Sequence, residues 1–418
     1  MKIAFFINAF PPPTFIINQI VGLIERGHDV DIDARSRTEP VQGAHADVER
    51  YALARRTRYM PPTPRLWPAR LRSAATRLII HGWRYPRTTL DSLDLFRYRR
   101  RALNLTLIHD LIPHEHVSRK YDIIHCHFGP NGQRAIALRN AGILHGPVVT
   151  TFHGYDVNEK QPKTYGPRQY ERLFGSGDAF TVGSEFLRGR VADLGCPHDR
   201  IVKLPMGVSL SRFKFAQRKR PVNGEFRLLT VARLVEFKGI EFALRAIAGL
   251  RERYPRLRYR VIGDGPLREN LADLTRRLGL DRVVEFSGAL SQEDVIKAHE
   301  VADAFVLPSI IAASGLVESQ SVALIEAQAS GLPVIATSTG GVSESMRDGE
   351  SGLLVPPGDP QALAAAISWI VDHPDVLPSM GRAGRTHAER FFDLDKLNDQ
   401  LIALYCGVRS TPPDRQWN

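Results

Sequence analysis

Short apolar runs alternate with helical stretches along this chain, and the alternation starts afresh at Phe226. In the first series Lys2–Ile7 reads as a strand, Phe15–Arg26 as a helix closed by Gly27, and His28–Asp33 as a second strand. Further strands are expected at Asp122–His127, Pro147–Phe152, Ala179–Val182 and Ile201–Leu204, with helices at Gln133–Ala141 and Glu185–Leu194. A turn at Asn223-Gly224 opens the second series. Its expected strands are Phe226–Val231, Arg258–Ile262, Val283–Phe286, Ala304–Leu307 and Pro333–Ala336. Its expected helices are Ile240–Arg253, Leu267–Leu278, Gln292–Val301 and Val322–Ser330. Near alternation of strand and helix implies a parallel sheet with helices on both faces. A chain of 418 residues is too long for one core, so the two series predict two doubly wound α/β domains. We delimit them as 1–208 and 223–392, joined by a polar, basic linker (Ser209–Val222) and followed by a C-terminal helix and tail, 393–418. The final helix, near Asp395–Tyr405, suits either domain. In such folds ligands occupy the crevice at the carboxyl ends of the strands.

Hydrophobic residues make up 43 %, as in ordinary soluble proteins, and no apolar run reaches the roughly 18–20 residues a membrane helix needs. The apolar start MKIAFFINAF is broken by Asn8 and Pro11-Pro12-Pro13, so it reads as a buried strand and not as a signal peptide. Cys126, Cys196 and Cys406 are widely spaced and odd in number, which predicts no disulfide framework and a reducing, cytoplasmic setting. Charge is unevenly placed. Between Tyr51 and Lys120 stand 14 Arg and one Lys against Asp91, Asp94, Asp110 and Glu115, a net +11 equal to that of the whole chain. Trp67, Trp83, Tyr85, Phe96 and Tyr98 lie in the same insert, 51–120. Two readings stay open: a surface for anionic lipid or a pyrophosphate-bearing acceptor, or an Arg-rich solvated helical insert.

Chemistry concentrates in the second series. Arg233 and Lys238 follow its first strand, where two cations suit a diphosphate, although solvated loop charges would look the same. Strand Arg258–Ile262 runs into Gly263-Asp264-Gly265-Pro266. A dinucleotide fingerprint would need glycine at position 268, which is Arg268, so NAD binding is not expected. Glu318 lies in the loop after a strand and Glu326 in the helix that follows. The helix N-terminus between them offers free N–H groups to an anion, and carboxylates can accept from sugar hydroxyls. Taken singly, each glutamate also fits a structural role.

Arg233 with Lys238, Gly263-Asp264-Gly265, Ser287-Gly288, Glu318 and Glu326, the run Ala329–Thr337, Gly340-Gly341 and Asp348–Val355 together resemble the retaining glycosyltransferases of the GT-B fold (family 4-like, group 1). His125-Cys126-His127-Phe128-Gly129 and Thr151-Phe152-His153-Gly154-Tyr155-Asp156 resemble the branch that builds exopolysaccharide and capsule, colanic acid included. The resemblance implies two Rossmann-like domains facing across a crevice. It also implies transfer from a nucleotide sugar, UDP favoured over GDP, to a saccharide or lipid-linked acceptor with retention of configuration. It assigns Arg233 and Lys238 to the leaving diphosphate, Glu318 to the transferred sugar and Glu326 to the ribose. Backbone at Ser321 and Val322 would meet phosphate, the base would lie near Gly263 and Ala289-Leu290, and His153 would sit near the reacting sugar. Two departures bear on these assignments. Ser319-Gln320-Ser321 replaces a glycine-bearing stretch after Glu318, and Pro11-Pro12-Pro13-Thr14 stands where many members have paired glycines.

No metal or other cofactor is expected, the nucleotide sugar being a co-substrate. Asp31 and Asp33 alternate on a strand, Asp393 and Asp395 open a helix, and His125 and His127 alternate on a strand. Rival readings are an epimerase or phosphorylase on the same fold, or an inactive nucleotide-sugar binder. Four site residues together weigh against the inactive binder. A nucleic-acid partner is not expected, because the basic insert shows no recognition motif.

Overall fold

Every strand read from the sequence forms, and each one pairs in parallel within its sheet. The computed structural model describes residues 1–37, 46–60, 63–98, 100–112, 118–157, 169–219 and 224–410. Asn223 of the expected turn and positions 220–222 of the expected linker lie outside the described residues. The chain divides into two compact units. One holds the residues up to Leu204 together with the last helix from Asn398 onward, and the other holds Pro205–Leu397.

In the first unit the strand order is Thr57–Tyr59, Asp29–Arg37, Lys2–Phe10, Ile123–His127, Val148–Phe152, Ala179–Val182, Ile201–Lys203. The first strand pairs on one side with the second (Lys2 opposite Asp29) and on the other with Ile123–His127 (Ile3 opposite Ile123). The second unit repeats the plan as Val284–Gly288, Leu257–Ile262, Phe226–Val231, Ala304–Leu307, Val334–Thr337, Gly352–Val355. In both sheets the chain leaves the first strand toward one edge and returns to its other side. That reversal is the switch point where loops diverge and open a ligand-sized gap at the strand carboxyl ends.

Central strands are buried on both faces, which is why they read as continuous apolar runs instead of alternating ones. Ala304–Leu307 and Val334–Thr337 are buried throughout. One face of the second sheet packs Leu228, Tyr259 and Val261 under Leu244, Ile247 and Ile367, and the other packs Leu229, Ile262 and Phe305 under Leu324 and Met346. The last helix, Leu394–Ser410, resolves the choice left open by the sequence. Its Leu401 and Tyr405 are fully buried, Asp399 pairs with Arg26 at 2.7 Å and Arg409 with Asp122 at 2.9 Å, all within the first unit. No helix among the described residues is long and apolar enough to cross a membrane.

Strand ends in the second unit are locked to one another through backbone. Gly263, at φ +135°, brings its α-carbon against Ala232, and a Cβ added there would lie 1.9 Å from the Ala232 carbonyl oxygen. Alanine at 263 must therefore both strain the backbone and push the neighbouring turn away. We expect Gly263→Ala to lower unfolding free energy by about 2–3 kcal/mol. Gly249, inside helix Ile240–Leu250 with open space around a built Cβ, is the matched control. Gly249→Ala is expected to raise stability by about 0.5–1 kcal/mol, with urea midpoints checking both.

Candidate active site

Three turns at the carboxyl end of the second sheet are stitched side by side. Ala232 N–H donates to Ile262 O at 2.9 Å, Leu234 N–H to Asp264 O at 3.0 Å, and Gly263 N–H to Gly288 O at 2.8 Å. This gathers Arg233, Gly263 and the Leu290 loop on one end of the sheet. Arg233 is exposed and makes no ion pair among the described residues. Leu290 is half-buried against the cluster of Leu229 and Phe305. Arg268, where a dinucleotide fingerprint would want glycine, pairs with Asp264 at 3.0 Å.

On the other side of the switch point the loop after Ala304–Leu307 is tied to the turn that carries Lys238. Ile310 N–H donates to Phe237 O at 2.8 Å and Ala313 N–H to the Glu236 carboxylate at 2.7 Å. Gly239, at φ +59°, lets the turn pass so close to Pro308 that a Cβ would lie 2.0 Å from its carbonyl oxygen. These contacts bring Lys238 Nζ onto the Glu318 carboxylate as a short, nearly buried ion pair. Glu318 O in turn accepts from Gly341 N–H at 3.0 Å. Thus two residues 80 positions apart, read separately as a phosphate ligand and a sugar ligand, are neighbours in one site.

Ser321 follows at once and caps helix Val322–Ala329 by accepting from Leu324 N–H at 3.4 Å. The helix starts beside the ion pair, so its first N–H groups and its positive dipole end add to the cationic character there. Glu326 lies one turn on, half-buried, and loss of hydration pushes its carboxyl up to about 8. Gln320 explains the departure from the family pattern. Its side-chain amide clamps the backbone of Met206, accepting from its N–H and donating to its carbonyl, both at 2.9 Å.

In the first unit His153 stands at the end of strand Val148–Phe152, half-buried and held well below the usual histidine range, at about 3, by burial. Its Nε2 meets His127 Nδ1 at 2.9 Å, and the imidazoles of His125, His127 and His153 stack in a column with centroids 4.7 and 5.1 Å apart. His125 Nε2 bonds Thr151 Oγ1 at 2.7 Å and its Nδ1 meets the Tyr405 hydroxyl of the last helix. The two sequence motifs meet at Asp156, whose buried carboxylate accepts from Gly129 N–H at 2.8 Å and His153 N–H at 3.0 Å. Burial pushes that carboxyl up to about 6. Asp156, His127 and Tyr405 are therefore members of the cluster around His153 to which sequence reasoning gave no role. The period-two histidines on a strand and the motif aspartate were visible signals. Tyr405 gave none, since its partner is 280 residues away.

The other paired acids are engaged as ordinary partners. Asp31 accepts from the Tyr121 hydroxyl at 2.8 Å, and Asp33 binds Arg119 at 2.9 Å and Arg134 at 2.8 Å. Burial opposes charge on Asp33, but the two guanidinium groups hold its carboxyl below the usual range. Among the described residues no group of three or more His, Cys, Asp or Glu is arranged to hold a metal ion.

Family models match in tandem: Glycosyltransferase Family 4 over residues 84–212 and Glycosyl transferases group 1 over residues 211–387. A protein of Salmonella typhimurium named as a colanic acid biosynthesis glycosyltransferase is 35 % identical, the match covering 97 % of this chain and 99 % of the relative. The chain belongs to this glycosyltransferase family. The amylovoran biosynthesis glycosyltransferase of Erwinia amylovora is 33 % identical over 97 % of this chain and 99 % of its own length. Among solved structures, the Anabaena protein HepE in complex with UDP and glucose superposes with a TM-score of 0.69 at 17 % identity, covering 97 % of this chain and 100 % of that one. Sucrose-phosphate synthase of Thermosynechococcus elongatus gives 0.68 at 20 % identity, covering 98 % and 99 %. These likenesses establish the GT-B fold with its two Rossmann-like sheets.

Two outcomes follow for the glycosyltransferase. Removing one partner of the Lys238–Glu318 pair strands a buried charge, so Lys238→Met should cost about 3 kcal/mol. The double variant Lys238→Met/Glu318→Gln should recover much of that in urea unfolding. The histidine column makes stability pH-dependent. His125 stays neutral in the fold down to about pH 3, because of burial and the neighbouring His153, whereas the unfolded chain protonates it near 6.5. The unfolded state then binds more protons as pH falls, and His125 withdraws roughly 2 kcal/mol between pH 6.5 and 5. His127, held low by burial and its two histidine neighbours, adds to the loss. Asp156 works oppositely: its raised carboxyl favours the fold at low pH, and that contribution disappears as pH rises through about 6. Urea midpoints from pH 8 to 5 should fall, with a shallower slope in His125→Gln.

Proposed function

We propose that this glycosyltransferase transfers a hexosyl group from a UDP-sugar to a saccharide or lipid-linked acceptor, with retention of anomeric configuration, in exopolysaccharide synthesis. The observation that carries the reading is the assembly of Arg233, Lys238, Glu318, the Ser321–Val322 helix start and Glu326 around the switch point of one sheet. The relatives named for colanic acid and amylovoran support the pathway class, and the HepE complex with UDP and glucose supports the donor class.

In this reading the bond between the anomeric carbon and the diphosphate breaks, and an acceptor hydroxyl takes that place on the same face of the sugar. Negative charge grows on the departing diphosphate. Arg233 is free to meet it, and the N–H groups at Val322 add fixed donors. Lys238, already oriented by Glu318, can hold phosphate and carboxylate together, which couples diphosphate binding to the placement of Glu318 against sugar hydroxyls. With burial pushing its carboxyl up to about 8, Glu326 keeps its proton at neutral pH. Ribose hydroxyls donating to it would draw that proton affinity down. The base lies by Gly263 and Leu290, and in the first unit the ring of His153 is set by His127. These cations and N–H groups stabilise the leaving group without a divalent ion. We place the enzyme in the cytoplasm, at the membrane face when the acceptor is lipid-linked.

Arg233→Ala and Lys238→Ala are each expected to lower turnover about a hundredfold and to weaken UDP binding by calorimetry. Proton NMR of the product should show the donor's anomeric configuration, and transfer should persist in excess chelator. An inverted product, or activity lost to chelator and restored by a divalent ion, would overturn the reading.

A further inference from the structure

The basic insert contains a helix with a bare apolar face. Helix Trp67–His81 is seated by Ala74 and Leu78 against Ile108 and Ile112, with His109 bonded to Ser73 at 3.0 Å. Around the rest of its circumference Trp67, Leu71, Ile79 and Ile80 face solvent, continued by Leu66 before it and Trp83 after it. Ile79 is 75 % exposed and Trp83 70 %, values for side chains that protrude rather than line a groove. Arg72 and Arg84 are exposed among them, and Arg84 lies over the Trp83 ring at 5.3 Å. Charge of the other sign is missing locally: from Tyr51 to Leu90 the sequence has nine arginines and no aspartate or glutamate.

We propose that this face, from Leu66 to Arg84, docks the enzyme on an anionic lipid bilayer. Protruding aliphatic tips gain by entering the acyl boundary, tryptophans at both ends of the helix suit the headgroup level, and arginines beside them meet lipid phosphates. A folded protein partner is met by pockets and charges of both signs, and a nucleic acid gains nothing from exposed Ile79 and Leu71, so neither fits as well. The surface lies wholly within the first unit and does not depend on the chemistry assigned to the donor site.

Vesicle co-sedimentation tests this, using phosphatidylcholine alone and phosphatidylcholine mixed with phosphatidylglycerol, across a salt series. The expected result is binding at least tenfold tighter to the anionic vesicles at low salt, weakening as salt rises, with a blue shift of tryptophan fluorescence. Each arginine removed should lower partitioning about fivefold, so Arg72→Gln/Arg84→Gln should lose roughly twenty-five-fold. Ile79→Ser/Trp83→Ser should lose binding at all salt concentrations. Thermal melts matching the parent separate loss of docking from loss of fold, and calorimetric UDP binding, unchanged in both variants, reports on the donor site separately. Equal binding to both vesicles, no binding at low salt, or binding unaltered in both variants overturns the proposal. So does self-association of the parent that the Ile79→Ser/Trp83→Ser variant abolishes while vesicle binding is absent.

Discussion

Close backbone approach at the strand carboxyl ends is the constraint on which the donor unit depends. Side chains there are short-range ligands, and their positions are only as firm as the turns bearing them. The turn at Ala232 rests on Gly263, and the turn carrying Lys238 passes beneath Pro308 by way of Gly239. Hydrogen bonds from Ile310 and Ala313 then fasten the second loop to the first. Nothing larger than hydrogen fits at either crossing, so the site's shape is written in main chain before any charged group is placed.

The Lys238–Glu318 pair and the histidine column handle charge differently. The second unit keeps a nearly buried cation and anion together and leaves Arg233 in solvent. In the first unit the histidine column is kept uncharged, while Asp33 stays charged between two guanidinium groups. Three stacked imidazoles lose their proton affinity to burial, and the Tyr405 hydroxyl and Thr151 take up the ring nitrogens of His125. A neutral column is costly in acid.

Much of this was legible in the sequence because parallel strands buried on both faces must be apolar for their whole length. Phe226–Val231, Gln292–Val301 and Ala304–Leu307 form with the bounds read from the sequence. What escaped was of other kinds. Thr57–Tyr59 is three residues inside an Arg-rich stretch, and Gly352–Val355 is an edge strand whose Leu353 and Leu354 are only half-buried. Helices Pro360–Asp372 and Leu377–Phe391 follow the last recognised motif and went unread, although Asp359 caps the first with a bond of 2.9 Å to Ala362 N–H. The side-chain pairings escaped for a different reason. Lys238 with Glu318, Gln320 with Met206, and His125 with Tyr405 join residues 80, 114 and 280 positions apart, and no local pattern encodes such distances.

The last helix also orders events during synthesis. Its Leu401 and Tyr405 complete the packing of a unit whose first strand is Lys2–Phe10, so the opening and closing segments of the chain share one core. While a ribosome is still making the donor unit, the N-terminal unit has no cover over Gly22 of its first helix and His125 of its sheet, where Asn398 and Tyr405 will later sit. The donor unit, contiguous in the chain, has all its strands before that helix emerges. The unit that begins first is thus the last to be finished, and a chain cut short after Leu397 would release it without the Tyr405 partner of His125.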